Sequence, residues 1–279
     1  MKTIDQRRQL LLDSLRDLGD LRITPTLPVL CAPFGDDLGK FGFRRVDWAP
    51  YIWIGTTPLP KDHPLFLENR VFSIGLASVL ACLQLDLRPG DTLLDMCAAP
   101  GIKSLYLQII HDKKIELYVN DISHARLVRL RALFERFDIS LPVFSNQDGQ
   151  SLVRRYGEGY FDAIIVDAPC SGEGNILKAD QEALKTWSPA KVKRLASLQY
   201  KLLRTAQQLL KPAGQLIYAT CTLNQHENEI VIQKSRAGTG LQTTTARITE
   251  LESYHLRTGE AIKLLPSEQS IGFFVAKVK

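Results

Sequence analysis

Short apolar runs alternate with amphipathic segments from Phe72 onward, and this alternation limits the folds that the chain can adopt. Nearly continuous apolar strands separated by helices are typical of a mainly parallel sheet covered by helices on both faces. The runs predict strands at TLLDM (92–96), IELYVN (115–120), LPVFSN (141–146), DAIIVDA (162–168), QLIYAT (215–220) and GFFVAKVK (272–279). We therefore expect an α/β fold with a doubly wound, mostly parallel sheet.

Two helices are signalled strongly. Ser188 is a typical N-cap residue and Pro189 suits the first helical position, after which apolar residues recur at helical spacing to Leu209. The sequence KPAG that follows predicts a turn. A second amphipathic helix is expected near the start of the chain, around Leu11 and Leu15.

The first 70 residues have a different pattern and are expected to form an N-terminal extension, with residues 71–279 as the principal domain. Within the extension, the stretch FGFRRVDWAPYIWIG (41–55) interleaves Trp48, Tyr51 and Trp53 with Arg44 and Arg45. Such a mixture is able to stack on nucleic-acid bases and contact phosphates. A small hydrophobic core with two surface arginines explains the same stretch equally well.

Composition excludes several classes of protein. Hydrophobic residues make up 45% of the 279, which is enough for a large core. No apolar stretch approaches the length of a membrane span, and the mixed charges of the first 20 residues are unlike a signal peptide, so a cytoplasmic location is expected. Five cysteines without a CxxC pair favour reduced thiols over a disulfide framework or a metal site. The net charge of +5 permits a polyanionic partner without identifying one.

Three successive strand ends carry residues suited to a nucleoside. Gly101, in LLDMCAAPGIKS (93–104), lies between a strand and a helix, where a ligand can approach the backbone. Asp121 follows the next strand, where a carboxylate is able to accept both ribose hydroxyls. Asp148 follows the third strand and is placed to accept a hydrogen bond from an adenine amino group.

Each of these residues has an ordinary structural explanation as a turn glycine, a helix cap or a turn former. Their joint placement favours a nucleoside site over three separate turns. The GxGxxG fingerprint of dinucleotide sites is absent, and a ligand without pyrophosphate does not require it. The pattern therefore favours S-adenosylmethionine over a nicotinamide dinucleotide.

Two cysteines follow strand patterns and lie in polar company. Cys170 is in DAPCSGEG (167–174) and Cys221 is in YATCTLNQHENE (218–229). Because the carboxyl ends of parallel strands meet at one edge of a sheet, both sulfurs are expected at one crevice, close to Asp167. Free cysteine is commonly a small buried hydrophobe, and we accept that alternative for Cys31 and Cys82.

With these segments assembled, the chain resembles the Nop/Sun family of RNA cytosine-5 methyltransferases, which are class I enzymes that use S-adenosylmethionine. The resemblance covers residues 72–279 and is carried by DMCAAPGIKS, DAPCSGEG, TCTLNQHENE and GFFVAK. It implies a Rossmann-like, seven-stranded, mostly parallel sheet with a small N-terminal extension. It also implies methylation at C5 of an unstacked cytosine in tRNA or rRNA, through a covalent bond between a cysteine and C6 of the base.

The resemblance assigns roles to particular residues. Cys221 is expected to be the nucleophile, and the chemistry makes Cys170 the candidate for assisting removal of the C5 proton. Asp167 is expected to stabilise charge on the ring, with Lys103 holding this carboxylate or polarising the base. The expected contacts of S-adenosylmethionine are Cys97, Ala98, Ala99, Pro100, Gly101, Ile102, Lys103, Asp121, Asp148 and Asp167.

Departures from the family pattern suggest a divergent substrate, because Ile102 replaces a usual glycine, Ile74 a glutamine and Ser267 a histidine. DNA cytosine-5 methyltransferases also carry a Pro-Cys pair, but their PCQ and ENV motifs are absent. Two other functions stay open: a methyltransferase acting on protein or a small molecule, and a noncatalytic RNA-binding relative.

The expected partner is RNA, and the expected oligomeric state is a monomer by default. Two basic helices are predicted, in HARLVRLRALFERF (124–137) and across residues 191–204, and either one is able to track phosphates or simply to face solvent. Trp187 is expected either to stack on RNA or to pack in the core.

Overall fold

A computed structural model of the chain describes residues 3–18, 21, 26–176, 181–236, 243–244, 255–258 and 261–278. Helices and strands alternate along most of it. The helices are α1 (Ile4–Ser14), α2 (Pro64–Leu67), α3 (Leu76–Cys82), α4 (Ile102–Ile110), α5 (His124–Arg136), α6 (Val153–Tyr156), α7 (Glu173–Ile176), α8 (Gln181–Thr186), α9 (Pro189–Leu209) and α10 (Glu229–Arg236). Short 3-10 turns cover Arg16–Leu18, Gly39–Phe41 and Gly149–Ser151.

The strands form two sheets. A small sheet contains β1 (Val29–Cys31), β2 (Phe43–Arg45), β3 (Ile52–Gly55) and β4 (Phe72–Ser73). The large sheet contains β5 (Thr92–Asp95), β6 (Glu116–Asn120), β7 (Val143–Ser145), β8 (Phe161–Asp167), β9 (Leu210–Thr220), β10 (Thr243–Thr244), β11 (His255–Thr258), β12 (Ala261–Leu264) and β13 (Phe273–Val278).

Seven strands of the large sheet lie in the order β7-β6-β5-β8-β9-β13-β12. The first five are parallel, and β13 runs antiparallel to both β9 and β12. This arrangement confirms the expected Rossmann-like, mostly parallel sheet; β11 and β10 add antiparallel pairs to it. Because β5, β6, β8 and β9 are parallel, their carboxyl ends and the loops that follow meet at one edge.

Each strand predicted from the apolar runs is present. The prediction of a turn at KPAG is wrong. Helix α9 ends at Leu209 and β9 begins at the next residue. The four residues KPAG instead form an irregularity within β9, where its pairing with β8 shifts between Phe161 and Ala163. Lys211 within this bulge forms an ion pair with Asp162, 2.8 Å from Nζ to Oδ1, which holds the bulged segment against β8.

The start of α9 has the predicted cap. The Ser188 hydroxyl oxygen accepts a hydrogen bond from the Lys191 amide at 3.2 Å, and Pro189 occupies the first helical position. The buried face of the helix packs on the large sheet through a stripe that includes Leu195, Leu202 and Leu209. The helix thereby places its middle turns beside the end of β8.

The small sheet is continuous with the main hydrophobic core. Its order is β2-β3-β1-β4 and all its pairs are antiparallel. Cys31 and Ile52 of this sheet belong to the same buried cluster as Leu80 and Leu105 from the helices that follow. Because β4 covers Phe72–Ser73, the sheet reaches past residue 70, and the expected domain division at that residue stays a prediction.

The aromatic residues of the N-terminal stretch are parts of this core. Trp48 and Tyr51 are half-buried and pack against the main cluster, and Trp53 packs against a second small cluster. Arg44 and Arg45 are exposed on β2. This arrangement matches the small-core alternative for the rings, with the two arginines facing solvent.

Helix α1 packs away from the small sheet. Leu11 of this helix and Leu15, directly after its last residue, are buried against Ile176, Trp187 and Leu223, which belong to the principal domain. No helix in the described part of the chain is long and apolar enough to span a membrane.

Candidate active site

The loops after β5, β6, β7, β8 and β9 surround one cleft at the carboxyl edge of the large sheet. Several predicted site residues line it, namely Cys97, Ala99, Asp121, Asp148, Asp167, Cys170 and Cys221. Met96, Leu198 and Leu202 supply apolar wall. Ala98, Pro100, Gly101, Ile102 and Lys103 are not among its lining residues; they shape the loop after β5 and begin α4.

The loop after β5 is anchored to the end of β6. The Ala98 amide donates to the Asn120 carbonyl oxygen at 2.8 Å, and the Ala99 amide donates to Asp121 Oδ2 at 3.3 Å. Gly101 has a φ of +106°, and a Cβ on it would lie 2.5 Å from Leu130 Cγ. Glycine is therefore required here both by the backbone conformation and by the close approach of α5.

The unusual Ile102 fits this loop because α4 begins at that residue. A helical conformation accepts a side chain, and Ile102 is half-buried against the main core. The other two departures are also accommodated: Ile74 is buried in the main core, and Ser267 Oγ accepts hydrogen bonds from the amides of Gln269 and Ser270 at 3.2 Å.

Asp121 is the central residue at the end of the cleft where the sequence predicts a nucleoside, which we call the nucleoside end. Its carboxylate is buried, forms an ion pair with Arg126 Nη1 at 3.1 Å and accepts a hydrogen bond from the Ser123 amide at 2.9 Å. Arg126 also donates to the Ala99 carbonyl oxygen. Arg126 belongs to the basic helix for which phosphate contact and solvent exposure were both left open, and in the structure it holds this loop.

Asp148 was expected either to accept a hydrogen bond from a nucleoside or simply to form a turn, and its position is compatible with both. It is exposed at the cleft, and its Oδ1 accepts a hydrogen bond from the Gln150 amide at 3.0 Å, which caps the short helical turn Gly149–Ser151. It is therefore a turn former that also lines the cleft. Its carboxylate retains acceptor capacity, because two oxygens offer about four lone-pair positions.

The two thiols lie together at the opposite end of the cleft. Cys170 Sγ and Cys221 Sγ are 3.0 Å apart, each shortly after the end of one of two adjacent parallel strands. The backbone joins the loops, since the Gly174 amide donates to the Cys221 carbonyl oxygen at 3.0 Å. A Cβ on Gly174 would lie 1.9 Å from the Gly272 carbonyl oxygen, so this contact with the start of β13 needs glycine.

The two sulfurs differ in acidity. A hydrogen bond from the Cys170 thiol lowers the pKa of Cys221 below its usual value, with Lys103 adding to the effect and burial opposing it. The same hydrogen bond, together with burial, raises the pKa of Cys170 well above its usual value. Cys221 is thus the better thiolate and Cys170 the hydrogen-bond donor.

Cys31, Cys82 and Cys97 behave differently from this pair. Burial raises the pKa of each of these thiols above the usual value. Cys31 and Cys82 are part of the main core, as accepted from the sequence, and the half-buried Cys97 packs against a second core cluster. Among the five cysteines, a lowered pKa belongs to Cys221.

Asp167 and Lys103 form an ion pair beside the thiols. Lys103 Nζ lies 2.7 Å from Asp167 Oδ2, with the two side chains 16% and 30% exposed. Burial alone would lower the pKa of Lys103, but the charge of Asp167 and the hydrogen bond outweigh it and raise that pKa. The pair therefore places a fixed positive charge and a carboxylate at the thiol end of the cleft.

Sequence reasoning assigned no role to the buried network beneath the thiol loops. Glu173 is fully buried and accepts hydrogen bonds from Trp187 Nε1 at 3.1 Å, Asn224 Nδ2 at 3.1 Å and Thr222 Oγ1 at 2.8 Å. Trp187 is therefore buried in the core, which was one of its two alternatives, and is not exposed for stacking on RNA. The signal for this network was the density of polar residues directly after two apolar strands.

Gln199 and Glu227 were also missed. Both are fully buried, and Gln199 Nε2 donates to Glu227 Oε1 at 2.9 Å. Gln199 lies in the stripe of α9 that faces the core, between Leu195 and Leu202. A polar side chain at a core position of an amphipathic helix was the signal that pointed to it.

Some cations of the two predicted basic helices already have partners within the protein, and others are exposed to solvent. On α5, Arg131 lies 4.6 Å over the Phe144 ring and Arg136 donates to the Phe66 carbonyl oxygen at 2.8 Å, while Arg129 is exposed. On α9, Lys191 Nζ bonds to Thr186 Oγ1 at 3.2 Å. The remaining exposed cations of the second group are Lys193, Arg194 and Lys201.

Curated proteins are similar to this chain in sequence. Ribosomal RNA small subunit methyltransferase F of Vibrio cholerae is 36% identical over 193 residues, 68% of this chain and 40% of that protein. The protein of the same name from Pectobacterium carotovorum is 34% identical over 193 residues, again 68% of this chain and 40% of that protein. The chain thus spans about two fifths of the length of these curated relatives.

Solved structures share the fold. A methyltransferase homolog protein from Pyrococcus horikoshii has a TM-score of 0.78 and 25% identity, covering 96% of this chain and 98% of that one. NSun6 from the same organism, with SFG, has a TM-score of 0.70 and 23% identity, covering 82% of this chain and 57% of that one.

A family model described as 16S rRNA methyltransferase RsmB/F matches residues 82–279, a range that includes the loop after β5 and both thiol loops. This is the Nop/Sun family that the four motifs resemble. The match covers more than half of the sequence, so this chain belongs to the 16S rRNA methyltransferase RsmB/F family.

Proposed function

We propose that this chain is an RNA cytosine-5 methyltransferase that acts on a cytosine of tRNA or rRNA through a covalent bond between Cys221 and C6. The proposal also places the protein in the cytoplasm, as a monomer. The observation that carries it is the pair of thiols 3.0 Å apart, in which the Cys170 hydrogen bond lowers the pKa of Cys221. Family membership supports it, and the two curated relatives named above are called ribosomal RNA small subunit methyltransferase F.

The cleft fits S-adenosylmethionine. Asp121 and Asp148 lie at one end to accept hydrogen bonds from ribose hydroxyls and the adenine amino group, Leu198 and Leu202 offer an apolar wall, and the thiols lie at the other end. The loop after β5 brings its backbone to the cleft at Ala99. S-adenosylmethionine, when bound, supplies an electrophilic methyl group for C5 of the base.

Cys221 prepares the base for this transfer. C5 of cytosine is a weak nucleophile, and addition of the Cys221 thiolate to C6 moves electron density from the C5–C6 double bond toward C5 and the ring. Asp167 stabilises the change in charge by sharing with N3 a proton that is taken up from solvent when the base binds, while Lys103 holds the carboxylate in place. This proton returns to solvent when the ring is restored. C5 then carries both the new methyl group and its original proton.

Cys170 restores the aromatic ring. Once Cys221 is bonded to carbon, the hydrogen bond that raised the pKa of Cys170 is gone, and Cys170 loses its proton more readily. Its thiolate takes the C5 proton, the C–H electrons form the C5–C6 double bond, and the C6–S bond breaks with its electrons returning to Cys221. The resting pair of one thiol and one thiolate is regenerated, and one proton leaves overall.

The two other functions considered from the sequence do not explain the pair of thiols. Methylation of a nitrogen or oxygen in a protein or small molecule needs no covalent addition, and a noncatalytic RNA-binding protein needs no activated thiolate. We assign the chemistry to residues 71–279 and propose that the extension of residues 1–70 contacts RNA through the exposed Arg44 and Arg45.

The test combines nucleoside analysis with trapping of the covalent complex. RNA incubated with the protein and S-adenosylmethionine is digested, and mass spectrometry is expected to detect 5-methylcytosine. RNA carrying 5-azacytosine is expected to trap wild-type protein, Cys221→Ala to form no adduct, and Cys170→Ala to accumulate an adduct on ordinary RNA. Unchanged cytosine in both tRNA and rRNA contradicts the proposal, and the opposite pattern in the two variants exchanges the roles of the thiols.

A further inference from the structure

The peptide segment that carries Cys170 is held on both sides by two buried side chains. Gln199 Nε2 donates to the Pro169 carbonyl oxygen at 2.8 Å, on the residue before Cys170. Glu227 Oε1 accepts a hydrogen bond from the Ser171 amide at 2.9 Å, on the residue after it. Gln199 Nε2 also donates to Glu227 Oε1 at 2.9 Å and thereby connects the two contacts.

These contacts join three parts of the chain. Gln199 lies in the middle of α9, the Cys170 segment follows β8, and Glu227 lies between β9 and α10. The Glu227 backbone is fixed as well, because the Tyr218 hydroxyl of β9 donates to its carbonyl oxygen. The Cys170 segment is therefore tied to α9 and to the turn before α10 by the paired side chains of Gln199 and Glu227, which we name the Gln199–Glu227 clamp.

Burial of the two polar side chains of the clamp costs free energy of folding. Glu227 and Gln199 are fully buried, and burial raises the pKa of Glu227 to about 7 despite its hydrogen bonds. Apolar side chains of similar volume commonly stabilise such a position as well or better. A role in fixing the loop geometry explains why polar groups occupy it.

We propose that Gln199 and Glu227 are positioning residues that hold Cys170 Sγ within hydrogen-bond distance of Cys221 Sγ. Neither touches the reacting sulfurs; they act through the backbone of residues 169–171. Displacement of Cys170 has two consequences. Cys221 loses its hydrogen-bond donor, and the C5 proton loses its acceptor. The second consequence rests on the proposed function, whereas the first is a property of the protein alone.

The first test needs no RNA. Iodoacetamide alkylation of Cys221 is followed by mass spectrometry across a pH series, and the midpoint reports the pKa of this thiol. Gln199→Leu removes both hydrogen bonds at nearly constant volume and is expected to move the midpoint upward by about one pH unit, in the direction of Cys170→Ala. Gln207→Leu makes the same change two turns further along α9, where it is half-buried, and is expected to leave the midpoint unchanged.

A midpoint for Gln199→Leu equal to that of wild type overturns the proposal. Loss of stability alone does not mimic the expected result, because a folded protein with the thiols still paired keeps the wild-type midpoint. Thermal denaturation of both glutamine variants verifies that the alkylation refers to folded protein.

Variants of Glu227 test the same proposal independently and can be used if Gln199→Leu does not fold. Glu227→Gln keeps an acceptor oxygen for the Ser171 amide and for Gln199, and is expected to keep the midpoint close to wild type. Glu227→Leu removes this acceptor and is expected to shift the midpoint as Gln199→Leu does. Equal shifts in the two Glu227 variants show that the hydrogen bonds do not position Cys170 and contradict the proposal.

The second test uses the catalytic cycle. With ordinary RNA and S-adenosylmethionine, Gln199→Leu is expected to turn over about tenfold more slowly and to accumulate a denaturant-stable adduct, as Cys170→Ala does. Failure of wild type to form an adduct on 5-azacytosine RNA refutes the proposed function and leaves the alkylation result intact. Adduct formation by wild type, with no accumulation in Gln199→Leu, refutes the role of the clamp in proton removal.

Discussion

The two ends of the cleft are held together in different ways. At the nucleoside end, Asp121 and Ala99 contact each other across neighbouring loops, and Arg126 closes the group from the helix that directly follows. At the thiol end, Cys170 depends on Gln199 and Glu227, which come from α9 and from the turn before α10. Asp121 thus has two partners close by in the sequence, Ser123 and Arg126, and a third 22 positions away, whereas the contacts at the thiol end span 28 to 56 positions. We expect changes at the nucleoside end to alter binding and changes at the thiol end to alter rate.

The largest effect is expected at the thiol end. Asp167→Asn removes the charge that Lys103 pairs with, and should slow adduct formation on 5-azacytosine RNA roughly 100-fold at saturating S-adenosylmethionine. Asp162→Asn makes the same change at the other end of β8, where the carboxylate pairs with Lys211, and should keep the wild-type rate. Equal rates for wild type and Asp167→Asn would remove this residue from the chemistry.

A smaller effect, of another kind, is expected at the nucleoside end. Asp121→Asn weakens the expected charged hydrogen bonds to ribose hydroxyls, so the Kd for S-adenosylmethionine, measured by calorimetry, should rise about tenfold. The rate at saturation should change much less. Asp138→Asn, at an exposed position after α5, is the matched control. A lower saturating rate with an unchanged Kd would break the distinction between the two ends.

The smallest effect is expected on the free energy of unfolding, through the buried Asp95 at the end of β5. Burial raises the pKa of Asp95 from 3.8 to about 7, with the charge of Asp167 adding to it and the Ser104 hydroxyl opposing it. Between these values the folded protein keeps a proton that the unfolded chain releases, so the free energy of unfolding falls as pH rises toward 7. Asp95→Asn should make this decline shallower and raise the free energy of unfolding at pH 8 by about 1–3 kcal/mol.

Urea denaturation between pH 4 and 8 measures this effect. Asp47→Asn, at an exposed carboxyl, should reproduce the wild-type dependence on pH. An unchanged slope in Asp95→Asn would show that the Asp95 carboxyl titrates alike in the folded and unfolded states.

The difference between the two ends also explains what the sequence could predict. The strands themselves and the placement of Asp121, Cys170 and Cys221 follow from apolar runs and the motifs directly after them, because residues at the ends of parallel strands share one edge. The alternatives for Trp187 were left open, since a ring beside a helix cap has no periodic pattern that reveals its burial. The structure decided them through the contact of this ring with Glu173.

Long-range pairs were beyond such reasoning. The ion pair of Arg126 with Asp121 was not predicted, because a basic helix face looks alike in the sequence whether its cations meet solvent or a nearby carboxylate. The turn at KPAG was predicted from its proline and glycine, which suit a bulge equally well. Gln199 could have been noticed as a polar residue in an apolar stripe, but its partners, 28 and 30 positions away in the chain, could not be identified from the pattern.

Helix α1 has a practical consequence for handling the protein. Leu11 of the helix and Leu15 directly after it cover Trp187 and Leu223. The Trp187 ring nitrogen in turn donates to the carboxylate of Glu173 beneath the thiol loops. Proteolytic trimming of the first 18 residues would uncover this apolar patch while leaving every side chain of the proposed site in the sequence. A shortened protein would therefore lose activity and gain a tendency to aggregate, although its motifs remain complete.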